Sequence, residues 1–181
     1  MKTYISMLRG INVSGKNILK MSDLKQMCQS LGYKNVSTYI QSGNIIFQTD
    51  ECSLNILETT ISKEILKIFF MNVPVIVIEK SMLKPILEQN PFLKKRNKDA
   101  EKLYICFLSN LPDNQLLKKI EPTSYLPDEY IIAEKMIYIF CQNGYGNTKL
   151  NNNFFENKLK LNATTRNLKT LTELIKICDT F

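Results

Sequence analysis

Apolar residues along the first 80 positions recur with two different spacings. Alternation predicts short strands, and apolar residues three and four positions apart predict amphipathic helices. The predicted strands span Lys2–Arg9, Val36–Gln41, Ile45–Thr49 and Val75–Glu79, and the predicted helices span Ser22–Leu31 and Ser53–Phe70. The helices expose a polar face, so each is expected to cover a sheet with its apolar stripe. The expected core positions of the two helices are Leu24, Met27, Cys28 and Leu31, then Leu54, Leu57, Ile61, Ile65 and Ile68.

This β-α-β-β-α-β order is typical of a ferredoxin-like α+β domain. In that arrangement the first two strands are parallel, because βαβ crossovers are right-handed. The end of the first strand and the turn after the second then lie at the same edge of the sheet. We therefore expect the Leu8–Lys20 loop and the Gln41–Asn44 turn to meet.

The second half is less regular and is expected to form a smaller α/β subdomain. A helix at Ser81–Gln89 precedes a basic loop, Asn90–Ala100, which marks the best boundary. The elements expected after it are a strand at Glu101–Ser109, a helix from Pro112 to Ile120, a hairpin of Glu129–Ala133 and Met136–Gln142, a helix through Phe154, Phe155 and Leu159, a polar loop at Thr164–Asn167 and a last helix capped by Asn167. The expected subdomains are residues 1–80 and 81–181.

The absence of histidine excludes several kinds of site. A chain without histidine has no Ser-His-Asp or Cys-His catalysis of its own and no histidine metal ligand. Its five cysteines are odd in number and widely spaced, which argues against a disulfide framework or a zinc knuckle. We expect no metal, no cofactor, no secretion signal and no membrane span. Free thiols in a cytoplasmic protein are the simplest interpretation.

The formal charge is +7, which is compatible with an anionic partner such as a phosphate-bearing molecule or nucleic acid. Lysine is spread throughout the chain, so compositional drift explains the net charge equally well. Only three of the 24 basic residues are arginines, namely Arg9, Arg96 and Arg166. Arginine offers a planar fork of donors that fits a carboxylate or phosphate, whereas lysine serves wherever a positive charge is enough.

Two segments resemble the signatures of a bacterial family catalogued as domain of unknown function 1697. The resemblance rests on Leu8–Val13, Gly15–Asn17, Met21, Leu24, Leu31–Gly32 and Thr38–Asn44, and on Thr164–Asn167 near the end. Ser14, Leu168 and Glu173 depart from the usual glycine, aromatic and lysine. The resemblance implies a ferredoxin-like N-terminal half, a smaller α/β second part and a cytoplasmic protein. It implies no activity.

The first of these segments is the candidate site for an anionic small ligand. Its loop and turn bring together positive charges, side-chain amides and the start of a helix, whose N–H groups favour anions. The candidate ligand-binding residues are Arg9, Asn12, Gly15, Lys16, Asn17, Gln41, Ser42, Gly43 and Asn44, with Arg166 and Asn167 from the second half. In the alternative interpretation, the same residues only satisfy turn geometry, and Arg9 pairs with a carboxylate.

Other functions have weaker signals. Gly10 and Gly15 have P-loop spacing, but Asn17 replaces the hydroxyl that such a loop uses to bind Mg²⁺. RNA recognition on the sheet would need aromatic platforms, and only Tyr4 and Phe47 are candidates. Two alternatives stay open. The first is nucleic-acid binding through the basic surface, which includes Lys94–Arg96 and Lys98, and the second is a protein-interaction module without a ligand. No catalytic group is identified, so whether the chain is an enzyme also stays open.

Overall fold

The computed structural model describes residues 1–13, 15–95, 99–120 and 122–181, so Ser14, Arg96 and Lys98 lie outside it. Contacts divide the chain into two compact units. The first unit contains Met1–Lys84 and Glu173–Phe181, and the second contains Pro85–Thr172. Each contains a four-stranded antiparallel sheet, which gives a mixed α/β fold. The independent subdomains expected at residues 1–80 and 81–181 stay a prediction.

The first unit contains the strands and helices that periodicity predicts, with small shifts at their ends. Its strands are β1 (Lys2–Leu8), β2 (Lys34–Tyr39), β3 (Asn44–Thr49) and β4 (Val75–Glu79), and its helices are α1 (Met21–Ser30) and α2 (Leu54–Phe69). The strand order across the sheet is β2-β3-β1-β4. Since β1 and β2 are both antiparallel to β3, they run in the same direction.

Helix α2 shows how an apolar stripe becomes a core. Ser53 caps the helix by accepting a hydrogen bond from the Ile56 N–H. Leu57, Ile61 and Ile65 are buried, but Leu54 and Ile68 are exposed, so their assignment to the core was wrong. A 16-residue helix is about 24 Å long. The neighbouring β4 has five residues and spans about 17 Å, so the ends of the helix extend past it.

The second unit contains more regular structure than the sequence suggested. The remaining elements, of which α3 and α7 belong partly to the first unit, are α3 (Lys80–Glu88), α4 (Pro91–Lys95), β5 (Leu103–Leu108), α5 (Asn114–Leu117), β6 (Glu129–Ala133), β7 (Met136–Phe140), α6 (Asn152–Leu159), β8 (Ala163–Asn167) and α7 (Leu168–Cys178). The order across the second sheet is β6-β7-β5-β8. Counted along the chain, this is the order of the first sheet: second, third, first, fourth.

Thr164–Asn167, expected to be a polar loop, is part of β8, the edge strand that pairs with β5. The segment lacks apolar alternation, but threonine favours strands because its β-carbon is branched. Thr165 lies opposite Cys106, and its hydroxyl donates a hydrogen bond to Asn152 Oδ1 at 2.6 Å, so this polar side chain has a partner at the start of α6. The Thr164–Asn167 loop was therefore a wrong prediction.

Two helix starts also differ from expectation, and both are set by a side-chain cap. Asp113 accepts a hydrogen bond from the Gln115 N–H at 2.6 Å, so α5 starts after Asp113 rather than at Pro112. Asn90 accepts a hydrogen bond from the Phe92 N–H at 3.0 Å, and α4 begins inside the segment expected to be a loop. Short polar side chains before a helix act in this way because its first N–H groups have no partner within the helix.

Candidate functional site

Two connections of the first unit meet at one edge of its sheet, as the parallel direction of β1 and β2 predicts. We call residues 9–20, between β1 and α1, together with residues 40–43, between β2 and β3, the loop edge. The Leu8 N–H donates to the Gly43 carbonyl at 2.9 Å. The Asn12 side chain donates to the Gln41 carbonyl, also at 2.9 Å. The loop and the turn are thus joined by direct hydrogen bonds.

Two asparagines hold the long loop in one conformation. Asn12 donates to the Leu19 carbonyl and accepts from the Leu19 N–H, both at 2.8 Å. Asn17 donates to the Gly10 carbonyl at 3.0 Å, and the Asn12 N–H donates to the Asn17 carbonyl at 3.1 Å. Both asparagines have positive φ, 52° and 48°, which asparagine tolerates better than most residues. The alternative interpretation, in which these amides serve the loop, describes what both side chains do.

Gly43 and Asn44 fix the conformation of the turn through close packing and buried hydrogen bonds. Gly43 has φ +72°, and a β-carbon there would lie 2.6 Å from Ile11 Cδ1 and 2.7 Å from Leu8 Cβ. Asn44 is buried and donates to the Tyr39 carbonyl at 3.2 Å and to Ser42 Oγ at 3.0 Å. These contacts position the turn against β1, so both residues have a structural role at the loop edge.

The charged side chains of the loop edge are all positive. Lys16 and Lys20 are exposed, and Arg9 is half-buried while its N–H donates to the Pro74 carbonyl at 2.9 Å. Gly15, at φ +74°, forms the tip beside Lys16, whose N–H donates to the Val13 carbonyl at 3.0 Å. No aspartate or glutamate occurs between residues 10 and 22 or between 40 and 44. The local charge therefore favours an anion.

The helix that starts at the loop edge contributes less than the sequence suggested. Lys20 is the N-cap of α1 and makes no side-chain capping hydrogen bond. Asp23 lies in the first turn and accepts a hydrogen bond from Ser22 Oγ at 3.0 Å. A carboxylate at this position already interacts favourably with the positive end of the helix dipole. The positive charge of the loop edge therefore lies mainly in its side-chain cations.

Sequence reasoning missed three large apolar side chains on the loop edge. Val13, Ile18 and Ile40 are 57%, 62% and 48% exposed. By contrast, Ile11 and Leu19 in the same loop are buried. The available signal was the presence of branched apolar residues among turn-forming residues, where folding does not require them.

The second unit has the same edge without a comparable loop. The Leu108 N–H donates to the Lys135 carbonyl at 2.8 Å, as Leu8 does to Gly43. The Ser109 N–H donates to the Asn162 carbonyl at 2.9 Å, as Arg9 does to Pro74. Between β5 and α5 there are five residues, 109–113, whereas twelve residues, 9–20, separate β1 from α1. The link after β5 is therefore seven residues shorter than the loop after β1.

Arg166 and Asn167 lie in the second unit, and the structure gives each a local role. Arg166 is 8% exposed, and its Nη1 donates to Thr164 Oγ1 at 2.8 Å and to the Thr165 carbonyl at 2.9 Å. Asn167 accepts a hydrogen bond from the Thr170 N–H at 2.7 Å and caps α7, as predicted. That Arg166 and Asn167 contribute to the ligand site stays a prediction.

A partly buried polar cluster in the second unit was also missed. Asn152 Oδ1 accepts hydrogen bonds from Thr165 at 2.6 Å and from Tyr145 at 3.4 Å, and lies 3.9 Å from Cys106 Sγ. Burial raises the pKa of Tyr145 to about 12, so its hydroxyl stays protonated and donates. The cluster links β8 to the start of α6. We assign it a structural role.

Other predicted sites can be compared with the described part of the chain. Tyr4 and Phe47 are fully buried in the core, so they provide no stacking platform for RNA. The described residues contain no cluster of three or more side chains suited to a metal ion. None of their helices combines the length and apolar character that a membrane span requires. All five cysteines are free, and four of them are buried.

Comparisons with known proteins define the family of the chain. The solved structure of the conserved bacterial protein SP0830 from Streptococcus pneumoniae is similar, with a TM-score of 0.73 and 23% sequence identity. The match covers 97% of this chain and 98% of that one, and at this identity it shows the fold alone. No curated protein matches the sequence. The sequence profile of the family described as protein of unknown function (DUF1697) matches residues 1–138, so the chain belongs to this family.

Proposed function

We propose that this protein binds an anionic small ligand, bearing a phosphate or a carboxylate, at the loop edge of its first unit. One observation supports the proposal above the others. The second unit closes the equivalent edge with five residues, whereas the first unit uses twelve and fixes them with asparagine hydrogen bonds. A long loop held in one conformation is expected at a binding site, because stability alone does not require it.

The chemistry of the ligand follows from the charge. Lys16 and Lys20 are exposed cations, and Arg9 provides a guanidinium at the base of the loop. No acidic residue occurs between positions 10 and 22, so the charged side chains of this segment are all positive. Charge-assisted hydrogen bonds from lysine and arginine to phosphate or carboxylate are stronger than neutral ones. We assign these three side chains to ligand contact.

The neutral residues have a supporting role in this proposal. Asn12, Asn17 and Gly43 hold the loop and turn together, and we propose Ser42 and the Gln41 side chain as neutral donors from the turn. Pre-positioned contacts cost less entropy when a ligand binds. We also propose that the first unit is ferredoxin-like, which its element and strand orders support, and that the protein is cytoplasmic, which its free cysteines support.

The affinity for inorganic phosphate tests the proposal with a matched pair of variants. Lys16→Gln removes a cation of the loop edge, whereas Lys135→Gln removes an exposed cation from the equivalent turn of the second unit. We expect Lys16→Gln to weaken phosphate binding about 3- to 10-fold, the loss of one charge-assisted contact at an exposed site. Lys135→Gln should bind phosphate like the wild type. Titrations followed by NMR chemical shifts measure both.

Equal effects of the two variants would contradict the loop-edge site. If phosphate did not bind and polynucleotides did, with an affinity that falls steeply as salt is raised, the basic surface would be the site instead. Arg9→Lys adds a second measurement, since it retains the charge but loses the fork geometry. A loss on Arg9→Lys comparable to that on Lys16→Gln would indicate a bidentate contact from Arg9.

A further inference from the structure

Three apolar side chains share the loop edge with its cations, and folding does not explain their exposure. Val13, Ile18 and Ile40 leave about half or more of their side chains in water. Their neighbours Ile11 and Leu19 already supply the apolar contacts that attach the loop to the core. Exposed apolar groups clustered at one place commonly mark a binding surface.

The backbone positions next to the three side chains are joined by the hydrogen bonds of the loop edge. Asn12 is hydrogen-bonded to both Asn17 and Gln41. Val13 follows Asn12, Ile18 follows Asn17 and Ile40 precedes Gln41. Each apolar residue is thus adjacent in sequence to a member of one hydrogen-bonded set. The surface is preformed, so its apolar groups do not have to be ordered when a ligand binds.

Ile40 adds an independent observation. Its φ is +50°, a left-handed conformation that is unfavourable for a residue with a branched β-carbon. Other left-handed positions of the loop edge are occupied by Asn12, Asn17 and Gly43, which are types that tolerate it. Asparagine at position 40 would be less strained and would expose no apolar surface. Retaining a strained and exposed isoleucine is expected when its side chain has a task outside the fold.

We infer that the ligand of the loop edge is amphiphilic, with an anionic group joined to an aliphatic or aromatic group. This inference rests on the proposed function and adds the second half of the ligand. Lys16, Lys20 and Arg9 contact the anionic group. Val13, Ile18 and Ile40 contact the apolar group, whose transfer from water contributes affinity in proportion to the area that is buried.

A series of straight-chain alkyl phosphates tests the inference. The probes are inorganic phosphate and the methyl, ethyl, butyl and hexyl monophosphates, each titrated into the whole protein and followed by NMR. Full burial of a methylene group would tighten binding about fourfold, and contact on one side about twofold. We expect about a twofold gain for each methylene. A flat series with measurable phosphate binding would overturn the inference and leave the proposed function intact.

Matched variants locate the apolar contact. Ile40→Asn and Val13→Thr should each reduce the ratio of hexyl phosphate affinity to phosphate affinity, whereas Ile40→Met, which keeps an apolar side chain, should retain most of it. Leu111→Thr is the control, because Leu111 is 65% exposed on the corresponding link of the second unit. A ratio that falls equally in Leu111→Thr would overturn the inference. Failure of both phosphate and hexyl phosphate to bind would overturn the proposed function as well.

An anionic group joined to an apolar group occurs both in free metabolites and in lipids. A second experiment distinguishes these two sources of the ligand. Phosphatidylcholine vesicles with and without phosphatidic acid are sedimented with wild-type protein and with Ile40→Asn. Sedimentation that needs phosphatidic acid and is reduced in Ile40→Asn would identify a membrane lipid as the source. A positive alkyl phosphate series without sedimentation would identify a free amphiphile. Both results support an amphiphilic anion as the ligand.

Discussion

Two residues of the β2–β3 turn show opposite relations between backbone conformation and residue type. Gly43 needs its left-handed φ and also its lack of a β-carbon, because Leu8 and Ile11 occupy the adjoining space. Ile40 has a similar φ but carries a branched side chain. That side chain is 48% exposed, so burial does not compensate for the unfavourable backbone conformation. The first residue is explained by the fold. The fold gives no such reason for the second, and we propose that its side chain contacts a ligand.

Ile40→Asn is expected to stabilise the protein while it weakens ligand binding. Left-handed backbone costs a branched residue roughly 1–2 kcal/mol, and asparagine much less. The free energy of unfolding, from urea denaturation, should rise by about 1 kcal/mol. Ile40→Val is the control, because it keeps the branched β-carbon and should leave stability nearly unchanged. A clear loss of stability in Ile40→Asn would show that Ile40 contributes to the core.

Gly43→Ala is expected to be destabilising for two separable reasons. The left-handed φ costs about 1 kcal/mol for alanine, and overpacking against Leu8 and Ile11 adds about 1–3 kcal/mol. Gly15→Ala has a similar φ but nothing within 4 Å of its added β-carbon, so it measures the backbone term alone. Urea denaturation should show Gly43→Ala losing at least twice as much stability. Equal losses would contradict the close contact between the turn and β1.

At the scale of single elements, the loop between β1 and α1 is longer than the corresponding link between β5 and α5. The five-residue link 109–113 performs the same connection in the second unit, with the same backbone hydrogen bonds at its start. The additional residues of 9–20 bring Lys16, Val13 and Ile18 to the surface. We therefore expect substitutions of the exposed residues in this loop to change the proposed ligand binding with little loss of stability.

The burial of the cysteines predicts which of them react with a thiol reagent. Cys28 lies on the buried face of α1, and burial raises the pKa of its thiol from 9.0 to about 12. Cys52 is exposed before α2. At pH 8 a thiol reagent should label Cys52 in the folded protein and all five cysteines after unfolding. Rapid labelling of more than one thiol under native conditions would contradict the buried positions.

The same buried thiols give a direction to the pH dependence of stability. Burial also raises the pKa of the Cys141 thiol from 9.0 to about 12. Because the folded state favours the protonated thiol, this stabilisation is fully present below pH 9 and is lost as the pH rises toward 12. Unfolding in this range should release protons.

Helices and strands were predictable from sequence where burial of one face makes apolar residues recur at regular spacing. They were not predictable where polar side chains take those positions and form hydrogen bonds with neighbouring residues. Strands β1 and β4 and helix α2 follow from their apolar spacing. Strand β8 does not, because Thr164, Thr165 and Arg166 replace apolar residues and find partners within the second unit. The meeting of loop and turn was predictable from topology. The roles of Asn12 and Asn17 within the loop required the hydrogen bonds themselves.

At the scale of the whole molecule, the two sheets repeat one strand order with different sequences. The repetition lies in backbone hydrogen bonds, such as Leu8 to Gly43 and Leu108 to Lys135, which side chains do not reveal. A sequence comparison of the halves therefore finds little. The net charge of +7 is distributed along the chain and does not identify a site. The proposed site rests instead on the difference in length between the two links, 9–20 and 109–113.

The most direct test of this account is a map of amide chemical shifts as inorganic phosphate is added to the whole protein. If the long loop is the ligand site, shifts should concentrate in residues 9–20 and 40–43 and saturate with phosphate. The corresponding residues 109–113 and 134–135, which share the fold but lack the loop, should change little. Shifts of equal size at the two edges would contradict a ligand site at residues 9–20 and 40–43. Shifts spread over lysines throughout the chain without saturation would contradict it as well.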